Sequence, residues 1–115
     1  QARKPVLVAV LMTDAAKPAA IVNVAANGAA ELVPLDDIAV PPGRALQVWT
    51  LWDRARGPVS VGLMGRAQRL DLGVRDLPKT SAEQLFEISL EPEGGSPIGR
   101  PTGPVLMKGT ASTAL

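Results

Sequence analysis

Cysteine, histidine and tyrosine are all missing from this 115-residue chain, and Trp49, Trp52 and Phe86 are its only aromatics. Without cysteine there is no disulfide, no thiolate nucleophile and no Cys-ligated zinc or iron–sulfur site. Without histidine the commonest transition-metal ligand and the commonest general base are gone. An excess of either charge is lacking too: 12 Lys and Arg face 11 Asp and Glu, a net charge of +1, with the signs interspersed. Nucleic acid binding needs phosphate neutralisation by a basic stripe, so nucleic acid is not an expected partner. No run reaches the ~18 apolar residues of a membrane helix, and no signal peptide opens the chain. The start Gln1-Ala2-Arg3-Lys4 carries no Met. Residues 1–4 are therefore read as the remnant of a longer protein, with an anchor expected upstream.

What the chain does have is a core and many turns. Hydrophobic residues make up 46% of it, supplied mainly by Ala, Val and Leu. A chain of this length buries roughly 65% of its unfolded surface, enough for one domain without staples. Gly and Pro number 11 each and are spread throughout, which suits short strands between turns.

Pro5 to Thr13 is a β-branched apolar run, expected to be a central strand buried on both faces. Ala19–Ala25 and Ala29–Leu35 flank Ala26-Asn27-Gly28, where Asn-Gly favours a type I′ hairpin turn. Pro34 confines the second of these strands to an edge or an early end. Ala45–Asp53 forms a strand with Trp49 and Trp52 three apart, hence on opposite faces, one toward the core and one at an edge or strand end. After the turn closed by Gly57-Pro58, Val59, Val61 and Leu63 alternate inward. Leu70-Asp71-Leu72 is a short strand. Ser81-x-x-Gln84 fits the cap of a single helical turn or a loop. In Gln84–Glu91, Phe86, Ile88 and Leu90 face inward while Glu87, Ser89 and Glu91 face water. A Pro, Gly and Ser loop spans residues 92–104, the last strand covers 105–110, and residues 111–115 form a frayed tail. The sum is an all-β domain over residues 5–110. Seven or eight short strands fit an antiparallel, immunoglobulin-like β-sandwich, with a small barrel as the alternative.

Chemistry is scarce in this pattern. The loop Glu91-Pro92-Glu93-Gly94-Gly95-Ser96-Pro97 lacks the Gly-Lys-Ser/Thr and following helix that a phosphate cradle requires. Asp36-Asp37 and the group Glu87, Glu91 and Glu93 contain hard-cation ligands, but neither matches an EF-hand spacing. Asp53 and Glu83 are carboxylates without a sugar-binding aromatic cleft. Ser60, Ser81, Ser89, Ser96 and Ser112 have no histidine base, and Lys79 and Lys108 stand at no characteristic spacing from them. No catalytic residue, metal ligand or cofactor site is assigned. Trp52, Arg54 and Arg56 form a candidate interaction surface, since Trp and Arg dominate interface hot spots. The simpler reading is that Trp52 covers a sheet edge.

Two segments carry a family likeness. One is Leu46-Gln47-Val48-Trp49 followed by Gly57-Pro58 and the strand to Met64. The other runs from Phe86 through Glu91-Pro92-Glu93-Gly94-Gly95-Ser96-Pro97 to Pro101-Thr102-Gly103-Pro104-Val105-Leu106. Together they resemble the C-terminal domain of the anti-sigma-K factor (RskA-like) family. Glu93 stands where a small residue is expected. The resemblance implies a single-pass membrane protein whose cytoplasmic N-terminal region, not this segment, holds an extracytoplasmic-function sigma factor. It places this domain on the extracytoplasmic side and implies release of the sigma factor by regulated proteolysis. It also implies that the motif residues are structural, with Trp49 in the core and Gly94, Gly95, Pro101 and Gly103 shaping a loop. The alternative is a free-standing envelope module that binds a cell-wall, carbohydrate or protein ligand at a loop end, with the 92–104 loop as its candidate surface.

Overall fold

The computed structural model describes residues 4–114. Eight strands follow one another without a helix: β1 Pro5–Met12, β2 Pro18–Ala25, β3 Ala30–Pro34, β4 Arg44–Leu51, β5 Val59–Met64, β6 Leu70–Leu72, β7 Leu85–Pro92 and β8 Val105–Thr113. All pairings are antiparallel, in the order β5-β4-β7-β8-β1-β2-β3-β6. The expected all-β antiparallel class is the observed one, with eight strands. Its two halves are joined into a single curled ladder. The free edges of β5 and β6 meet where the Gly73 N–H donates to the Val61 carbonyl at 2.7 Å, so the sheet nearly closes on itself.

The interior follows the period of two. Ala9 and Leu11 of β1, Val22 and Val24 of β2, Leu32 of β3, Leu46 and Val48 of β4, and Phe86 and Ile88 of β7 form one buried cluster with Met107 and Ala111 of β8. β1 is central, as expected, with β2 on one side and β8 on the other. It is buried on one face only. Among the described residues no second layer covers its outer face, where Val6 and Val10 remain 39% and 41% exposed.

Three local expectations change. The β2–β3 turn is not type I′, because only Gly28 takes a positive φ, at 92°. The Gly28 N–H bonds to the Ala25 carbonyl and the Ala25 N–H to the Ala29 carbonyl, which makes a three-residue loop ending in a left-handed glycine. In β5 the register slips opposite Val48 and Trp49, and Val61 is the extra residue of a bulge. The bulge reverses the facing that follows, so Leu63 is 41% exposed while Met64 is buried. At Ser81 the loop alternative holds: residues 81–84 make one turn, with the Gln84 N–H on the Ser81 carbonyl at 3.2 Å, the Ser81 N–H on Gln84 Oε1 at 3.2 Å, and Gln84 Nε2 donating to the buried Thr50 Oγ1 at 2.8 Å. β8 also runs on to Thr113, past the boundary expected at residue 110, because Ala111 is needed in the core.

Candidate functional site

β7 is a half-buried strand by sequence, yet both of its faces are covered near its C-terminal end. Phe86 and Ile88 fill the interior, and Leu90 packs against the same cluster. On the opposite face Ser89 and Glu91, expected in water, are fully buried. Their cover is the 92–104 loop, which folds back over β4 and β7 instead of standing out as a tip. Two anchors hold it down. The Ser96 N–H donates to Gln47 Oε1 at 2.8 Å, and Gln47 Nε2 in turn donates to Ser60 Oγ at 2.7 Å. At the far end Gly103 lies so close to β7 that a Cβ there would stand 1.7 Å from the Leu90 carbonyl oxygen. Only glycine allows that approach.

Glu91 is the centre of this second, polar core. Its carboxylate accepts from Ser89 Oγ at 2.6 Å, from the Thr102 N–H at 3.0 Å, from the Gly103 N–H at 3.2 Å, and from the Thr102 hydroxyl. Ser89 Oγ accepts the Trp49 indole N–H at 2.9 Å. The chain Trp49–Ser89–Glu91–Thr102 thus ties β4, β7 and the loop into one network. Arg44 reinforces it from the side, donating to the Glu91 and Leu90 carbonyl oxygens at 3.1 and 3.3 Å. Among the described residues no cation pairs with the carboxylate. Its charge is met by hydrogen-bond dipoles alone.

Trp49 is therefore buried, but outside the main core that the resemblance implied for it. Leu46 and Val48 take the interior positions of β4, and Trp49 lies on the other face beneath the loop. Pro92 closes β7 and its carbonyl accepts the Gly95 N–H at 2.8 Å. The Pro104 carbonyl accepts the Leu90 N–H at 3.0 Å, and Pro101 is half-buried at the loop's edge. Nothing in the structure explains a glycine at 94. Sequence reasoning missed Arg44, Gln47 and Ser89 as partners. The one available signal was a polar residue at alternate positions of two neighbouring strands, facing a long Pro/Gly loop.

Burial alone raises the pKa of Glu91, but the hydrogen bonds from Ser89, Thr102 and Gly103 together outweigh it and hold the carboxyl below its ordinary value. A carboxyl with a depressed folded pKa adds stability that is complete above its unfolded pKa of about 4.3. That stability is lost as pH falls through the lower folded value. Glu87, pushed up by burial against a smaller opposing pull from Lys108, works in the other direction. Urea midpoints measured from neutral pH downward are thus expected to drop below the ordinary carboxylate range. The difference between the parent and a Glu91→Gln variant, in which Glu87 cancels, should shrink over the same interval. A difference that stays constant with pH would rule out this assignment.

The second candidate region is separate. Trp52 follows the end of β4 and is half-exposed, with the Arg56 guanidinium 5.5 Å from its ring centroid. Arg54 is exposed in the same turn, where the Asp53 carbonyl accepts the N–H groups of Arg56 and Gly57. The remaining acidic groups are dispersed: Asp36 pairs with Lys17 Nζ at 2.9 Å, and Asp53 Oδ1 accepts the Ala55 N–H. Among the described residues no three Asp or Glu side chains gather as metal ligands, and no helix is long and apolar enough to cross a membrane.

These features describe a small, nearly closed antiparallel β domain whose motif residues are spent on pinning one loop to one face. The chain matches the family of the anti-sigma-K factor rskA, C-terminal, over residues 1–105, and belongs to that family. The match takes in the first forty residues as well as the two segments that carried the likeness, the second as far as Val105. No curated protein and no solved structure matches the chain. It is thus the C-terminal domain of an anti-sigma factor, a class of regulatory protein whose general partner is a sigma factor.

Proposed function

We propose that this domain is the extracytoplasmic regulatory module of a single-pass membrane anti-sigma factor that controls an extracytoplasmic-function sigma factor. It performs no catalysis. The cytoplasmic N-terminal region of the parent protein binds the sigma factor. This domain governs how long that region survives, by denying a protease the chain that leads into it.

One observation carries the reading. The first strand, Pro5–Met12, lies in the middle of the sheet rather than at an edge. A protease needs an extended, unpaired segment, and a strand with neighbours on both sides offers one only when the sheet opens. The protection therefore scales with the stability of the whole domain. Loss of a stabilising partner, or damage to the fold, converts directly into cleavage near residues 1–5.

Deleting residues 5–115 from the full-length protein tests this. The anti-sigma factor is expected to become short-lived and sigma-dependent transcription to rise. An unchanged half-life together with unchanged transcription would refute the proposal.

A further inference from the structure

The end of the sheet that carries the β2–β3 turn also carries a cleft of about 630 Å³, bounded by residues 26–30 and 71–80. That volume falls within the roughly 300–1,000 Å³ of small-molecule sites. Its floor is apolar: Leu72 is buried, and Val74 and Leu77 pack partly against the core. Two cations, Arg75 and Lys79, stand on its wall, exposed and without an ion pair among the described residues. Asp71 is the one carboxylate on the lining.

Thr80 offers a hydroxyl to the same cleft. It lines the cleft and is only 7% exposed. Its hydroxyl makes no hydrogen bond among the described residues, unlike the buried Thr50, which donates to the Leu85 carbonyl and accepts from Gln84. Among the described residues no buried side-chain polar atom lacks a partner, so this hydroxyl is reachable from the cleft and free to bond to a ligand there. Apolar floor, two unpaired cations and a waiting hydroxyl match one ligand chemistry.

The geometry points to a binding site for a small amphiphilic anion. Arg75 and Lys79 hold a carboxylate or phosphate head, Thr80 hydrogen-bonds to it, and Leu72, Val74 and Leu77 take the apolar body. Arg suits either head group through its paired N–H donors, and Lys adds a point charge. The site lies on the face of the fold away from the loop pinned by Glu91, and it is independent of the protease-shielding reading.

Amide chemical shifts of the domain should be followed by NMR during titration with octanoate, with octyl phosphate and with uncharged 1,2-octanediol. Either anion is expected to give saturable shifts confined to residues 26–30 and 71–80. Whichever anion binds tighter identifies the head group as carboxylate or phosphate. The Arg75→Ala/Lys79→Ala variant should weaken that binding at least tenfold, and Arg75→Glu should abolish it. These side chains are exposed, so thermal unfolding should be unchanged in both variants. Thr80→Val, which keeps the shape, should weaken binding without moving the shifted region. No saturable shift at millimolar anion, equal binding of the diol, or an affinity indifferent to Arg75 and Lys79 would overturn the assignment.

Discussion

Glu91→Ala is expected to destabilise the domain by about 3 kcal/mol and to free the 92–104 loop. The carboxylate takes four hydrogen bonds, two of them from the backbone of Thr102 and Gly103. Removing it leaves those donors, and Ser89, without an acceptor in a buried place, where each unsatisfied group costs roughly 1–3 kcal/mol. Loop movement and water entry recover part of the sum. Glu91→Gln is more instructive. The amide matches the carboxylate in shape, but its NH2 group must face donors, so about half the loss should remain. Trp49 reports the outcome, since it sits under the loop and bonds to Ser89. Its emission should shift to the red, and quenching by acrylamide should rise, before global unfolding. Equal urea midpoints for Glu91→Ala and the parent would show that the network does not hold the loop.

Gly109→Ala should have an effect as large, by another route. A Cβ at this position would lie 2.0 Å from the Val10 carbonyl oxygen, across the seam between β8 and β1. The obstacle is backbone, which cannot rotate away, so the two strands must separate locally. Overpacking of this kind costs about 1–3 kcal/mol, and the upper end is expected here. The loss falls on the pairing of Leu7, Val8 and Ala9 with Thr113, Ser112 and Ala111. Limited proteolysis should therefore cut Gly109→Ala first within Pro5–Met12, at a rate well above the parent's. If both proteins are cut first in the 92–104 loop at equal rates, the β1–β8 seam is not the protective element.

The two variants probe different parts of the molecule, and the sequence exposed one far better than the other. The strands were legible because their signals are local: alternation in Phe86-Glu87-Ile88-Ser89-Leu90, a β-branched run from Pro5, glycine and proline between elements. Facing was legible only where strands stay regular. Val61 bulges, and Leu63 and Met64 exchange sides. The bulge arises from pairing with β4 and from the closure onto Gly73, neither of which a local window contains. Glu91 was assigned to water because it alternates with Leu90. Alternation shows which residues share a face but not what covers that face. The cover comes from a loop up to 13 residues further along the chain, and its fit depends on Gly103 meeting Leu90. The motif residues were found by likeness, and their work became visible only when the loop was placed.

The adjacency of β1 and β8 bears on how the chain reaches this state. The first strand finds β2 within twenty residues, but its other neighbour is the last strand of all. A chain delivered from its N-terminus holds an unpaired β1 edge until residues 105–113 have emerged. Final closure must span nearly the whole sequence, which makes the loop-closure term large and the folding slow for a domain of this size. During that interval the segment around Pro5 is paired with β2 alone, and its β8-facing edge stays open. Newly made molecules and ones that have lost the β1–β8 seam thus present the same open edge, and they differ only in that the new ones are moving toward closure.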